Sequence, residues 1–583
     1  MRIGLLTEGG YPYVSGEARL WCDRLVRGLG QHEFDIYALS RSEEQERRGW
    51  IELPPQVSRV RTAPLWTGDG EAGAAGADAA FGPRVRYGRR ARRRFTELFG
   101  ELVAVVADSR ESGAPEDRSG ELADRFGSAL YGLAELARDE GGLVGALRSE
   151  AAVRALESAC RAPGALRAAR GARVPDLLAV TAEVERALRP LSLDWYEDDG
   201  LGAVDLCHAT SGGPAALPGL LARHFAGVPL LVTEYGVQLR AHYLAATEAA
   251  SSAPARALLA AFRGRLAAEV YRRATLITPG NTHARRWQER CGAERAKLRT
   301  VYPGMESGRF GEVGEAEGTA AAGDPDTLVW VGRIEPAKDL ISLLHAFAEV
   351  RKEEPKARLR IVGAPGGSEE SLNYLAHCRA LAAQLFPDEA EGAHAVGDNP
   401  VSFEEIGGPE APDLAEAYAA AGVVVLSSVV EGFPISLVEA MFCGRATVST
   451  DVGAVVEVIG GTGLVVPPRN PRALAEACVA LLRDPERRER LGAAARARAL
   501  ELFTVEQNIA AFRAIYLEIV SHCPVRREAV DEAGEPVPFA HPAEAHVPGR
   551  WAATGGSGGS AGAPRWVGDT DTDAELKLKG AAV

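Results

Sequence analysis

The chain has 583 residues, 46% of them hydrophobic and 25% charged, with a formal net charge of −14. That length exceeds what one hydrophobic core organises and implies two or three domains of a globular protein. The acidic balance excludes a general nucleic-acid binder, which needs a basic surface, though not the binding of one nucleotide by a few local donors.

The first expected element is a short apolar strand, Arg2 to Thr7, running into a loop with glycines at Gly9, Gly10 and Gly16. A helix periodic in Leu20, Leu25 and Leu29 follows, then DIYAL as a second strand. This is the opening of a parallel α/β lobe. From about 41 to 190 the rhythm changes. Trp66 to Phe81 is rich in Gly, Ala and Asp, seven arginines fall between Arg84 and Arg94, and a long Ala/Leu/Arg/Glu stretch follows. The segment reads as a mostly helical insertion in the first lobe. Its arginine run suits either a solvated helix face or contact with an anionic membrane or acidic polysaccharide.

The α/β pattern resumes with a strand ending near His208, another at VPLLVTEYG and a third at TLITPG. Residues 1–310 thus form the expected first lobe, and the acidic, Gly/Ala-rich stretch 311–324 an interlobe linker. The second lobe, 325–500, starts with TLVWVGRI and contains AGVVVLSS, a buried strand of the kind a parallel sheet needs. Asp484 before Pro485 caps one helix, and Thr504 with Gln507 marks the start of a closing helix across 501–522. Residues 523–583 are rich in Pro, Gly, Ala and acids and read as a disordered tail.

Eight cysteines are scattered without a CxxC pair, which argues against a disulfide framework or a zinc cluster. The apolar start is too short for a signal peptide, and no run approaches the about 18 apolar residues of a membrane span. The expected location is the cytoplasm, with a peripheral place at the inner face of the membrane as the alternative.

Two motifs carry the chemistry. GRIEPAKD follows the strand ending at Val331 and places Arg333 and Lys338 at a strand end, where cations can hold phosphate. EGFPISLVE places Glu431 in a strand-to-helix turn and Glu439 within the helix, beside the amides of Gly432 and Phe433. Parallel sheets bind ligands at such strand ends, and carboxylates accept hydrogen bonds from sugar or ribose hydroxyls. Taken singly, each motif has ordinary solvated charge as its alternative. The glycines 9 and 10 suit either a backbone approach to a ligand or a plain tight turn.

In this order, the two motifs resemble the donor lobe of the retaining glycosyltransferases of family 4, with the GT-B fold. The resemblance implies an α/β fold of two Rossmann-like lobes around a cleft, and a nucleoside-diphosphate sugar as donor substrate with no other cofactor. Arg333 and Lys338 would hold the diphosphate, Glu439 the ribose, and Glu431 the donor sugar. His208 would face that sugar, unless it is a structural histidine, and glycines 9, 10 and 16 would lie near the donor. LLTEGGYPYVSGE, CHATSGGPA and TEYGVQLR resemble the PelF-like bacterial exopolysaccharide branch, with Tyr235 standing where that family has histidine. The implied reaction is front-face transfer of a hexose, UDP-glucose being the favoured donor, to a glycan acceptor beside membrane-associated polysaccharide machinery. No DxD element is placed to bind a metal. Transfer to a small acceptor such as inositol phosphate, sugar-nucleotide epimerisation and a non-catalytic scaffold are the alternatives.

Overall fold

A computed structural model of the protein describes residues 1–14, 19–66, 81, 86–109, 116–245, 252–315, 324–387, 399–409 and 411–525. Gly16, Arg84, the linker beyond Glu315 up to Asp324, and the expected tail after Val525 lie outside the described residues.

Two six-stranded sheets organise the chain. The first contains β1 (Arg2–Glu8), β2 (Glu33–Ser40), β3 (Val57–Pro64), β4 (Leu206–Ala209), β5 (Leu230–Glu234) and β6 (Leu276–Pro279). The second contains β7 (Asp324–Val331), β8 (Arg358–Val362), β9 (Val401–Glu404), β10 (Ala421–Leu426), β11 (Ala446–Thr450) and β12 (Leu464–Val466). Their orders are β3-β2-β1-β4-β5-β6 and β12-β11-β10-β7-β8-β9, with parallel pairing throughout. Counted from its own first strand, each sheet follows one topology. The chain fills one half, then returns to the centre and fills the other. The switch falls between β1 and β4 in the first lobe and between β7 and β10 in the second. Outside the strand ends at such a point lies the crevice where α/β sheets take ligands.

The expected insertion, 41–190, begins too early. Its first part holds β3, paired with β2 from Phe34↔Val57 to Ser40↔Pro64. The sequence VSRVRTAP hides this strand because it lies at the sheet edge, where its half-buried arginines pair with Asp199. The helices Arg89–Ala107, Glu116–Glu140, Glu150–Arg161 and Val174–Leu188 then fill the crossover between β3 and β4. They are not an appendage: Phe95, Phe99, Leu130 and Val180 share one core with Leu6, Leu39 and Leu230 of the sheet. Of the arginine run, Arg89, Arg90, Arg92 and Arg93 are exposed. Arg94 turns inward to Asp139 and Glu135, at 3.1 and 3.3 Å.

The last described helix, Val505–His522, returns to the first lobe. Phe512, Ile515 and Tyr516 pack with Ile3 and Leu5 of β1. The outgoing and returning connectors run side by side: Met305 N donates to Phe503 O at 2.8 Å and Val505 N to Met305 O at 3.2 Å. Among the described residues, no helix is long and apolar enough to cross a membrane.

Candidate active site

The second switch point brings two loops together. After β7, residues 336–338 form one 3-10 turn, and Asp339 adopts a left-handed φ of 48°. Its carboxylate accepts from Ser342 N at 3.2 Å and so starts the helix Leu340–Glu353. After β10, Ser427 Oγ donates to Lys338 O at 2.7 Å and Val429 N to Ala337 O at 2.9 Å. These bonds clamp one loop onto the other. The Lys338 ammonium thereby reaches Glu431 Oε1 at 2.5 Å, and Ser428 Oγ donates to the same oxygen at 2.7 Å. Glu431 is buried and Lys338 nearly so, so this ion pair sits under the cleft surface. Arg333, by contrast, is exposed and has no ion pair or side-chain hydrogen bond among the described residues.

The turn carrying Glu431 rests on Gly453. That glycine has a φ of 57°, and an added Cβ would lie 2.4 Å from Glu431 O. Only a residue without a Cβ fits both constraints. Ala454 N then donates to Gly432 O at 3.1 Å. Pro434 provides no capping side chain for the helix Ile435–Phe442. The amides of Gly432 and Phe433 have no hydrogen-bond partner among the described residues. Unsatisfied amides ahead of a helix are donors for an anion or a hydroxyl.

Glu439 lies deeper in that helix and is buried. Tyr418 OH donates to its Oε2 at 2.9 Å, and Arg309 Nη2, from the interlobe connector, to its Oε1 at 2.6 Å. Burial raises its pKa, while Tyr418 and Arg309 pull it back. From the first lobe, Arg240 on the helix Gln238–Ala245 donates to Glu431 O at 2.9 Å. Burial lowers the Arg240 pKa, with Glu431 opposing. Four cations therefore surround or border two carboxylates and two free amides. That set can neutralise a diphosphate and bond hydroxyls at one place.

Other residues singled out from the sequence fall elsewhere. His208 does not reach the cleft. It is fully buried, with Nδ1 2.7 Å from Tyr516 OH and Nε2 2.6 Å from Thr233 Oγ1. Both ring nitrogens are occupied, and burial lowers its pKa to about 3, so it is a neutral core residue that offers a donor sugar nothing. Tyr235 also turns inward, edge-on to Trp21 at 5.2 Å, with Asn508 Nδ2 3.3 Å from its hydroxyl. Gly9 has a φ of 64° and donates to Leu39 O at 2.8 Å, while Gly10 O accepts from Tyr13 N at 3.0 Å. Both act as turn residues at the end of β1. Sequence reasoning gave no role to Arg240 and Ser428, although TEYGVQLR ends on the one and AGVVVLSS on the other, and it missed Arg309 and Tyr418. It also passed over Gly453, although the run STDVGAVVEVIGGTG contains it.

Among the described residues, no group of three or more His, Cys, Asp or Glu side chains could hold a metal ion, and seven cysteines are free and buried with Cys523 exposed.

Fold and site together define a two-lobed GT-B protein with a helical insertion in its first lobe. The solved structure of Anabaena Alr3699/HepE in complex with UDP matches 89% of this chain and 100% of its own, at a TM-score of 0.50 and 14% identity, a likeness of fold alone. Residues 325–484 match the family model described as Glycosyl transferases group 1. Residues 1–296, more than half of the chain, match the model described as Domain of unknown function (DUF3492), and the chain belongs to that family.

Among curated proteins, the D-inositol 3-phosphate glycosyltransferase of Kineococcus radiotolerans is 35% identical over 226 residues, 36% of this chain and 49% of that protein. That of Kribbella flavida is 34% identical over 230 residues, 38% of this chain and 52% of its own. The chain spans about half the length of these curated relatives. They correct the expected PelF-like exopolysaccharide branch, and with it the expected glycan acceptor. The physical reason is visible in the first lobe. Two of the segments on which that branch rested centre on His208 and Tyr235, and both side chains are engaged in the lobe's interior packing.

Proposed function

We propose that this protein is a retaining glycosyltransferase that moves a hexose, glucose from UDP-glucose in the first instance, to a small hydroxylated acceptor such as an inositol phosphate. The observation that carries the reading is the meeting of Lys338 with Glu431 at the β7/β10 switch point, beside exposed Arg333 and the free amides of Gly432 and Phe433. Names of the curated relatives support the acceptor class. The UDP bound to the Anabaena protein of like fold is consistent with a nucleotide in such a crevice.

In this mechanism, the donor diphosphate lies against Arg333 and Lys338, and Glu439 accepts from the ribose hydroxyls. The bond from the anomeric carbon to the phosphate oxygen breaks as the acceptor oxygen bonds to the same face of that carbon. The acceptor proton passes to the departing phosphate oxygen. Arg333 and Lys338 lower the barrier because negative charge grows on the leaving group beside them. Glu431 holds a sugar hydroxyl through its free Oε2, and its Oε1 keeps Lys338 in place. Arg240 ties the first lobe to the Glu431 carbonyl, so approach of the lobes and alignment of this turn go together.

The experiment is product analysis with UDP-glucose and inositol monophosphate, reading the anomeric configuration by NMR. An α-linked product with release of UDP is expected. A β-linked product, or conversion of donor in the absence of any acceptor to a free epimerised sugar nucleotide, overturns the reading.

A further inference from the structure

Arg240 is not alone in joining the first lobe to the donor turn. After β11, Gly453 and Ala454 form the prop beneath Glu431 and Gly432, and the chain enters the short helix Val455–Ile459. Glu457 lies about one helical turn beyond that prop. Its half-buried side chain crosses to the other lobe. Oε2 accepts from Thr282 N at 2.6 Å, and Oε1 accepts from Tyr302 OH at 2.9 Å. Thr282 is the first residue of the helix Thr282–Arg290, which follows β6, and Tyr302 lies on the way out of the first lobe. Burial and the bond to Glu457 raise the Tyr302 pKa to about 12, so its hydroxyl stays a donor.

The first-lobe end of this contact calls for an acceptor. Asn281 caps the helix by taking Ala284 N on its side chain at 2.7 Å and Arg285 N on its carbonyl at 3.0 Å. Neither bond serves Thr282 N, whose partner among the described residues is the carboxylate of the other lobe. A carboxylate there meets an open amide and the positive end of a helix together.

The second-lobe end is held firmly. Arg498, on the helix Pro485–Leu502, donates from Nη2 to Glu457 O at 2.8 Å and from Nε to Val458 O at 2.9 Å. Val455, Val458 and Ile459 are buried. At its other end the segment is bonded to the donor turn, through Ala454 N and Gly432 O at 3.1 Å. Glu457 therefore cannot follow the first lobe without carrying Ala454 and Gly432 with it. The first lobe grips the donor turn at two points: Arg240 at the Glu431 carbonyl, and Thr282 with Tyr302 through Glu457 and the prop.

We propose that Glu457 is a positioning residue for sugar transfer. It passes the placement of the first lobe to the turn that carries Glu431, and so sets that carboxylate and the free amides of Gly432 and Phe433 against the donor sugar. The proposal rests on the transferase reading above and concerns a residue that acts through the turn, not on the sugar.

The test removes the contact from either lobe. Thr282→Pro deletes only the amide: proline suits the first position of a helix, and Asn281 before it is already extended, with φ −171° and ψ 170°. Glu457→Ala removes the acceptor, and Glu457→Gln keeps one oxygen for Thr282 N. Turnover is read as UDP released from UDP-glucose. Thr282→Pro and Glu457→Ala are each expected to lower kcat by about 5–30-fold, as for loss of a bond to a charged group. Donor KM and UDP affinity should stay within about twofold of wild type, and Glu457→Gln should recover most of the loss. Because both deletions act on one contact, the double variant should be no slower than Glu457→Ala alone. Hydrogen exchange of the segment 451–460, followed by mass spectrometry without substrate, should quicken in Thr282→Pro although that substitution lies in the other lobe. Additive losses, wild-type kcat in both variants, or a loss confined to donor KM or UDP affinity overturns the proposal. So does exchange in 451–460 that Thr282→Pro leaves unchanged. A wild type that neither binds UDP nor releases it from UDP-glucose sinks the transferase reading instead, and the exchange measurement still decides whether Glu457 couples the lobes.

Discussion

The two lobes share one strand order and differ in what stands beyond their strand ends. In the second lobe, the loops after β7 and β10 build the centre of the site, with Arg240 of the first lobe and Arg309 of the connector beside them. Lys338 and Glu431 are 93 residues apart, yet meet at 2.5 Å because their strands are neighbours. In the first lobe, the equivalent edge is overlaid by helices from the insertion, and the side chains that looked functional are turned into the core. His208 is held by Tyr516, 308 residues away on the returning helix. A switch point made of its own loops is confined in its chemistry. One lined by added helices can be refitted to a new ligand while the sheet beneath stays the same.

The strongest way to break this comparison is to disarm the second lobe. Replacing Arg333 and Lys338 together by Ala is expected to cut turnover by about 10²–10³-fold or more, because each stabilises the departing diphosphate. The melting temperature should fall as well, since Arg333 is exposed but loss of Lys338 leaves the buried Glu431 carboxylate without its ion-pair partner. Near-wild-type turnover would place the reacting centre elsewhere.

Next in size is the support beneath Glu431. Gly453→Ala forces a Cβ onto a residue at a φ of 57° and into the Glu431 carbonyl. A stability loss of about 1–3 kcal/mol in urea titration is expected, with a larger fall in kcat as the turn shifts. A variant as stable and active as wild type would show that the turn does not rest there.

A finer cut separates the two carboxylates. Glu431→Gln is expected to lower kcat more than it raises the donor KM, since a sugar contact tightens as charge develops. Glu439→Gln is expected mainly to raise the donor KM, because a ribose contact is made equally before and during reaction. The roles are reversed if calorimetry shows that Glu431→Gln, and not Glu439→Gln, weakens free UDP.

The smallest expected effect on activity belongs to His208, and it sharpens the contrast between lobes. Its pKa falls from 6.5 to about 3 on folding because burial disfavours the imidazolium. As pH drops, the unfolded chain therefore takes the proton first. The stability contribution is complete above about 6.5, drains as pH falls through the window down to about 3, and then levels off. His208→Gln should flatten the acid side of the stability profile by up to about 1.4 kcal/mol per pH unit. Its kcat at neutral pH should match wild type for whatever fraction remains folded. A specific loss of kcat in the folded protein would return His208 to the active site.

What the sequence determined by itself follows from local physics. Alternating apolar strands and amphipathic helices specify parallel α/β lobes, because buried parallel strands leave continuous apolar runs such as AGVVVLSS. The second-lobe motifs were legible for the same reason: each lies directly after a strand whose end faces the crevice. Tertiary structure alone decided the rest. β3 is polar because it is an edge strand, so periodicity could not reveal it. The inward turn of His208 and Tyr235 depends on a helix hundreds of residues later. Arg309 and Tyr418 meet at Glu439 only because separate elements pack that way. Periodicity reports whether a residue is buried; which distant side chain it then touches is set by packing, and that is where the two lobes part.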